Sequence, residues 1–553
     1  MDNVRIILWF ALLATLWLCY GAWQQDYAVT PVPPPVAAGE DTELGGTTPN
    51  LPDLAPAPAA EGAPPSLADA NAEPPVNTIA VRTDVLELAI NSVGGDLIRA
   101  DLLDYPVDKS RPDELVRLLD FIPERRWVFQ TGVRNAAEGE EPNHLAQFSS
   151  DAATYVLADD AASLTVTLEW AGAGAVRAEK IYTFHRGRYD IDLELVLRNT
   201  GDATWQGAAY SQMIRLHSPP ERSFRSVDTY SFTGPVLYDG DQYEKLDVED
   251  LLEEPVSQTL ANGWFAGIEH HFLAAIVPPP AQETSYRAAA RGREYVLTGV
   301  GPVQSIAAGT EFRYPLRLFV GPKLQEQLRD TSEELDLTVD YGVLTVLAQP
   351  LFWLLSFVHD WVKNWGWAII IVTMLIKLAF YKLTATSGRS MAKMRKIAPR
   401  MKALQERHKD DRQALNQAMM ELYKREKVNP AAGCLPVLVQ MPFFFAFYWV
   451  LIESVEMRQA PFMLWIQDLS VRDPFFILPL FMGAAMFLQT RLNPAPPDPV
   501  QAKVMQIIPL VFTVFFAFFP AGLVLYWLTN TVVQMLQQWR INTLVERENK
   551  ATS

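Results

Sequence analysis

Cysteine is almost missing from this chain: Cys19 and Cys434 are the two among 553 residues. Both lie inside apolar runs far apart in sequence, so no disulfide framework is available. Histidine is scarce too, with seven residues, of which His270-His271 are adjacent rather than at ligand spacing. No zinc-type cysteine pair, P-loop, dinucleotide fingerprint or Gly-x-Ser-x-Gly elbow appears. The apolar runs hold no paired acids, Ser/His pair or His-Glu-x-x-His motif of the kind intramembrane proteolysis requires. An enzyme is therefore not expected, and neither a metal nor another cofactor is implied. Positive charge is also in deficit, at a formal −17 overall, which excludes a nucleic-acid binder acting through general charge.

What is present is unevenly distributed. Residues 24–350 carry 24 basic against 50 acidic residues, a local charge of −26, whereas residues 385–429 carry 12 against 5, or +7. Such asymmetry argues that the parts live in different surroundings. Ile6 to Tyr20 is uncharged and, extended to Trp23, approaches the roughly 20 residues that cross a bilayer. The bulky Trp17, Leu18, Tyr20 and Trp23 at candidate cleavage sites favour an uncleaved anchor over residues 1–23, rather than a signal peptide or a lipid attachment at Cys19. Residues 24–77 are Pro/Ala-rich and acidic, and read as a disordered tether.

Residues 78–335 switch to period-two alternation. It is seen in Val81–Leu88, Ser163–Trp170, Glu179–His185 and Tyr189–Arg198, punctuated by Gly94-Gly95, Gly187 and Asn199-Thr200-Gly201. Half-buried antiparallel strands and a β-sandwich outside the membrane are expected. The last third is different again, with apolar runs Gly366–Tyr381, Ala432–Ile452, Phe475–Gln489, Val504–Phe519 and Ala521–Trp539. Five such runs leave too little polar chain to cover a soluble core, so with the first run six spans are expected. Several are short: a 16-residue helix rises about 24 Å against a hydrocarbon core of roughly 30 Å, which would thin the bilayer beside it.

Orientation follows from charge. Arg389, Lys393, Arg395, Lys396, Arg400 and Lys402 crowd behind the second run, which places that loop in the cytoplasm, the acidic domain outside and both termini inside. The stretch at 336–361, interrupted by Pro350, is expected to lie along the outer membrane surface rather than to span. Glu453, at the end of a run, is expected outside. Residues 362–540 then form a five-helix core, and 541–553 a cytoplasmic tail. Within 385–429 two apolar stripes at helical spacing, Met391, Met394, Ile397, Met401, Leu404 and Leu415, Met419, Leu422, Tyr423, predict a helical hairpin whose second helix is capped by Asp411.

Lys377 stands out. A lysine inside an apolar run costs about 2.5–3.5 kcal/mol on insertion scales and so faces a polar interior or snorkels to the interface. Thr373 lies one turn away on the same face, and Gln440, Thr529, Asn530 and Gln534 offer polar partners in other runs, but no carboxylate does. An unpaired cation needs a hydrated pocket, so a wet, positively charged hollow is the expectation.

The motifs of this last third resemble a known family. Ser390-Met391-Ala392-Lys393-Met394, Met419-Met420-Glu421-Leu422-Tyr423-Lys424, Gly433-Cys434-Leu435-Pro436, Gln440-Met441-Pro442, Arg458-Gln459-Ala460-Pro461-Phe462 and Phe519-Pro520-Ala521-Gly522-Leu523-Val524-Leu525-Tyr526-Trp527 are similar to the Oxa/Alb/YidC family of membrane protein insertases. The anchor, linker and β domain resemble its Gram-negative form, a multi-domain membrane protein with a periplasmic antiparallel β-supersandwich and an α-helical core of five spans. The resemblance implies a groove open to cytoplasm and lipid, lined by Lys377, Thr373, Gln440, Tyr526 and Trp527. It also implies an apolar slide of Met441, Pro442, Phe444 and Phe515, and a cytoplasmic hairpin making contacts through Met391, Met394, Arg395, Lys396 and Met401. Nascent membrane proteins, the Sec translocon, the ribosome and the lipid bilayer are the implied partners, and the inner membrane the implied location. Lys377 departs from the arginine frequent at that position, keeping charge but losing the guanidinium fork. Lys382 departs from the usual proline and could lengthen the second span, and the short, nearly neutral tail does not suit ribosome docking. A small-solute transporter using Lys377 as anion site is the alternative; it would want two repeated halves, and no internal repeat is visible.

Overall fold

The computed structural model describes residues 78–136, 139–172, 174–219, 231–408, 411–426, 435–492 and 499–552. The expected anchor (1–23) and tether (24–77) lie outside the described residues.

Alternation becomes three sheets. In the eight-stranded one, Ser163–Ala171, Val176–His185 and Asp190–Asn199 follow one another, then Glu311–Pro322, Phe272–Val277, Trp264–Ile268, Gly234–Tyr238 and Tyr243–Lys245, every neighbour antiparallel. Inward residues such as Val166, Leu168, Tyr182, Phe184 and Leu193 are buried while their neighbours along the strand are not, as a half-buried pleat requires. A six-stranded sheet is built around Trp205–Leu216, and a five-stranded one around Thr78–Arg82, Leu86–Asn91 and Asp96–Asp108.

Two expectations need correction here. Val81–Leu88 is not one strand: Thr83 Oγ1 accepts from the N–H groups of Val85 and Leu86 (3.2 and 2.9 Å), closing a turn between two antiparallel strands. Side-chain alternation survives such a tight turn, which is why the break is invisible in the pattern. Nor is the domain wholly antiparallel, since Thr78–Arg82 also pairs in parallel with Thr154–Val156.

A buried lysine pins the layers together. Lys180 Nζ, from the eight-stranded sheet, donates to Asp96 Oδ1 (2.8 Å), to the Gly94 carbonyl (2.5 Å), and to Thr131 through its carbonyl and hydroxyl (2.9 and 2.8 Å). Asp96 and Thr131 belong to the other two sheets, so one ammonium joins all three. Gly94 and Gly95, both at positive φ (82° and 64°), make the turn that aims the carbonyl.

Two short helices, α1 (Val248–Glu253) and α2 (Gln325–Thr331), belong to the sandwich region. Then follow α3 (Thr345–Val362), α4 (Trp365–Ala379), α5 (Tyr381–Arg407), α6 (Arg412–Arg425), α7 (Leu435–Glu453), α8 (Ile477–Leu492), α9 (Pro499–Phe516) and α10 (Ala521–Thr552). Helix α3 buries Ala348, Leu351, Phe352, Leu355 and Val358 and turns Trp353 (67% exposed), Phe357 and Trp361 (81%) outward at a spacing of four. Among the described residues no single helix is long and apolar enough to cross a membrane. Trp365–Ala379 and Tyr381–Ser390 pass only together, bent by 63°, and Leu438–Glu453, Ile477–Arg491 and Lys503–Phe516 are shorter apolar helices.

The second apolar run thus stops at Ala379, and Lys382 does not lengthen it: it sits in the first turn of the next helix, α5. That helix begins at Tyr381, ahead of the expected hairpin start at 385. The tail has no boundary at 540 either, because α10 runs on to Thr552 and its Ile541 packs beside Gly388 of α5. The hairpin stripes meet as their spacing requires: Ile397, Met401 and Leu422 are buried against Met394, Leu404, Met419 and Tyr423. Asp411 caps α6 by accepting from Gln413 and Ala414 (2.9 and 3.0 Å), and Arg400 pairs with Glu426 (2.5 Å). The side chains of Met391 and Arg395 lie outside the described residues.

The sandwich is fastened to the segment between α7 and α8. Arg458 Nη2 and Gln459 Nε2 donate to the Pro106 carbonyl (2.9 and 2.7 Å), and Lys109 Nζ donates to the carbonyls of Gln459 and Gln467 (3.1 and 2.7 Å). Glu453, expected outside the membrane, lies at this joint with the sandwich. It is 3% exposed, and its carboxylate accepts from Ser231 Oγ at 2.6 Å across this joint.

Candidate functional site: a buried lysine among short apolar helices

Helix α4 is started by Asn364, whose Oδ1 accepts from Trp367 N–H (3.1 Å) while its Nδ2 donates to the carbonyls of Pro461 and Phe462 (3.1 and 3.0 Å). Gly366 packs directly beneath the Phe462 ring, where any larger side chain would collide. Both contacts fix the rotation of α4, and so the direction of its last turn.

That turn carries Lys377. Its side chain points into the bundle, is 3% exposed, and donates from Nζ to Gln440 Oε1 of α7 at 3.0 Å. Among the described residues no carboxylate pairs with it, so a three-donor cation is held by one neutral acceptor. The nearby C-terminal end of α4 contributes a partial negative charge. Gln537 of α10 donates from Nε2 to the Lys377 carbonyl (3.4 Å), bringing a third helix to the same level. Thr373 is buried one turn away, but its hydroxyl donates to the Ile369 carbonyl (2.6 Å).

Tyr526 and Trp527 of α10 make an aromatic wall with α7 and α9. Phe444 stacks on Tyr526 (5.7 Å) and meets Trp527 edge-on (4.6 Å), Phe447 lies 4.7 Å from Tyr526, and Phe516 lies 5.0 Å from Trp527. The four expected slide residues therefore divide. Met441 (41% exposed), Pro442 and Phe515 (53%) face outward on the bundle, whereas Phe444 is half-buried in the wall. The structure joins Lys377 with Gln440 and leaves Tyr526 and Trp527 in the adjoining cluster. It closes the lysine off from solvent, where an open hollow was expected. Among the described residues no group of three His, Cys, Asp or Glu side chains is placed to hold a metal ion.

Sequence reasoning passed over His270, His271 and Lys323, which with Glu453 form the buried joint between sandwich and helices. The two imidazoles stack at 3.8 Å, and both point Nε2 at the Ile452 carbonyl (3.1 Å each). Burial holds His270 and His271 neutral, at about 2 and about 4, and draws Lys323 down to about 8 against the pull of Glu453. The one available signal was a His-His pair directly ahead of a fully apolar strand.

A β-sandwich set on short apolar helices that bury Lys377 is the class of architecture these residues define. Comparison with known proteins gives it a family. The YidC periplasmic domain matches residues 78–354, and the 60Kd inner membrane protein family matches residues 357–549. A membrane protein insertase YidC of Thioalkalivibrio sulfidiphilus is 47% identical over 100% of both chains, and that of Nitrosococcus oceani is 45% identical over 99% of this chain and 100% of its own. A crystal structure described as an active YidC insertase with its first transmembrane domain resolved covers 84% of this chain and 93% of its own, at 19% identity and TM-score 0.37. The chain belongs to the YidC family of membrane protein insertases. Its relatives are named for moving proteins into membranes, not for a chemical conversion, and nascent membrane proteins are the substrates that this function implies.

Proposed function

We propose that Lys377 and Gln440 form the polar centre of a groove that receives the hydrophilic segment of a nascent membrane protein from the cytoplasm. The observation that carries this reading is the lysine itself, buried in the bundle with one neutral partner. A buried ammonium so poorly matched is costly, and an incoming carboxylate would supply what it lacks. In the resting protein the groove is closed; parting of α4 and α7 exchanges Gln440 for the substrate's acidic groups and admits water. The membrane potential, positive outside, then favours outward movement of negative charge by about 2.3 kcal/mol per charge per 100 mV.

The apolar segment leaves along Met441, Pro442 and Phe515 into bilayer thinned by the short helices, with Phe444 backing the wall. In this reading five spans are drawn from α4 and α7 to α10, with the start of α5 completing the bent second span. An N-terminal anchor over residues 1–23 makes six, and both termini are cytoplasmic. Helix α3 lies at the outer interface with Trp353, Phe357 and Trp361 toward lipid, where amphipathic rings are favoured. The basic α5–α6 hairpin faces the cytoplasm and meets the ribosome or the Sec translocon through basic residues such as the exposed Lys396; Met401, expected among the contacts, is instead buried between the two helices with Met394 packed against it.

Photo-crosslinkers placed at 373, 440, 441 and 515 test this against a stalled nascent chain. Positions 373 and 440 should capture the chain's polar segment, and 441 and 515 its apolar segment. Capture of the apolar segment at all four positions, or at none, contradicts the reading.

A further inference from the structure

The last carbonyls of a helix have no partner within it. At the outer end of α7 one of them, that of Ile452, is met by two imidazoles from another domain. A carbonyl only accepts, so both His270 and His271 must carry their proton on Nε2. Glu453, the next residue, accepts from Ser231 Oγ, with His270 Nε2 3.9 Å away and buried Lys323 supplying balancing charge. The end of α7 is thus held from outside by the sandwich.

Nearer its start the helix is interrupted. Pro442 lacks the N–H that would bond the Leu438 carbonyl, which weakens α7 just beyond Gln440. Phe444 and Phe447, outward of this break, are packed on Tyr526. A helix fixed at its outer end and weakened at Pro442 can swing only at its inner end, the end that carries Gln440. We propose that the sandwich domain caps α7 in trans through His270 and His271, and that these are positioning residues that set where Gln440 stands against Lys377. The proposal rests on the groove reading above.

The test uses the full-length protein in proteoliposomes with an acidic-tailed substrate. His270→Ala/His271→Ala should slow insertion about threefold to tenfold, and His270→Gln/His271→Gln, which keeps a donor near the Nε2 position, should restore most of it. Hydrogen exchange at residues 450–454 should quicken in the alanine pair and recover in the glutamine pair. The decisive arm repeats the alanine pair in a Gln440→Ala background, where it should cost less than about 1.5-fold. An equal cost in both backgrounds, no cost in either, or unchanged exchange overturns the proposal. Should the alanine pair not accumulate, His270→Ala alone serves. Loss of insertion in Lys377→Ala with a silent histidine pair refutes only the trans-cap, whereas a silent Lys377→Ala refutes the groove.

Discussion

Lys377→Ala is expected to reduce insertion of substrates with acidic extracellular tails at least tenfold, while substrates with neutral tails change little. A tenfold change corresponds to about 1.4 kcal/mol. That is modest beside the coupling of about 1.5–7 kcal/mol measured for close, desolvated charge pairs, so tenfold is a lower bound. The expected selectivity arises because the ammonium acts on charge, whereas the apolar exit along Met441 and Phe515 does not involve it. Lys377→Arg should retain insertion, since charge is kept and Gln440 Oε1 can still accept. Lys377→Gln should resemble the alanine variant. Equal losses for acidic and neutral tails would show that the lysine serves packing instead of attraction.

The second large effect is on stability. Lys180→Met should destabilise the sandwich by about 3–5 kcal/mol, because Asp96 is then left as a buried carboxylate without its cation. For a domain of this size each kcal/mol lowers Tm by roughly 2–4 °C, so a fall of about 10 °C is expected in thermal unfolding of the detergent-solubilised protein. The double change Lys180→Met/Asp96→Leu removes both charges and should recover much of the loss. A single variant with unchanged Tm would mean that the three sheets do not depend on this ion pair. Insertion measured well below Tm should be little affected, since Lys180 belongs to the sandwich and not to the groove.

Local periodicity made part of this architecture readable. Alternation located Ser163–Ala171 and Asp190–Asn199 to within a residue at each end, and Val176–His185 except for its first three residues, because each strand has one wet and one dry face. The same logic at a period near 3.6 found both stripes of the hairpin, and apolar content with an isolated lysine drew attention to Lys377. What sequence could not show depends on residues far apart along the chain. Lys377 and Gln440 are 63 positions apart, His271 and Ile452 are 181, and no repeating pattern connects either pair. The burial of Glu453 was not legible because its partners, Ser231 and Lys323, come from a different domain. The break at Thr83–Val85 escaped notice because a tight turn can preserve alternation. Helix ends were misjudged at Ala379 and beyond Arg540, where hydropathy changes but backbone hydrogen bonding either stops early or continues.

Lys377 is buried in the resting protein and must become reachable by water from the cytoplasm as α4 and α7 part. With Cys19 and Cys434 changed to Ser, Lys377→Cys can be challenged by a membrane-impermeant thiol reagent in inside-out and right-side-out vesicles, beside Leu375→Cys, which faces outward from the bundle. Reaction at 377 in inside-out vesicles, faster than at 375 and absent in right-side-out ones, is the expected result. A cysteine at 377 that reacts no faster than the one at 375, or that reacts from the outer face, would contradict a cytoplasm-facing groove.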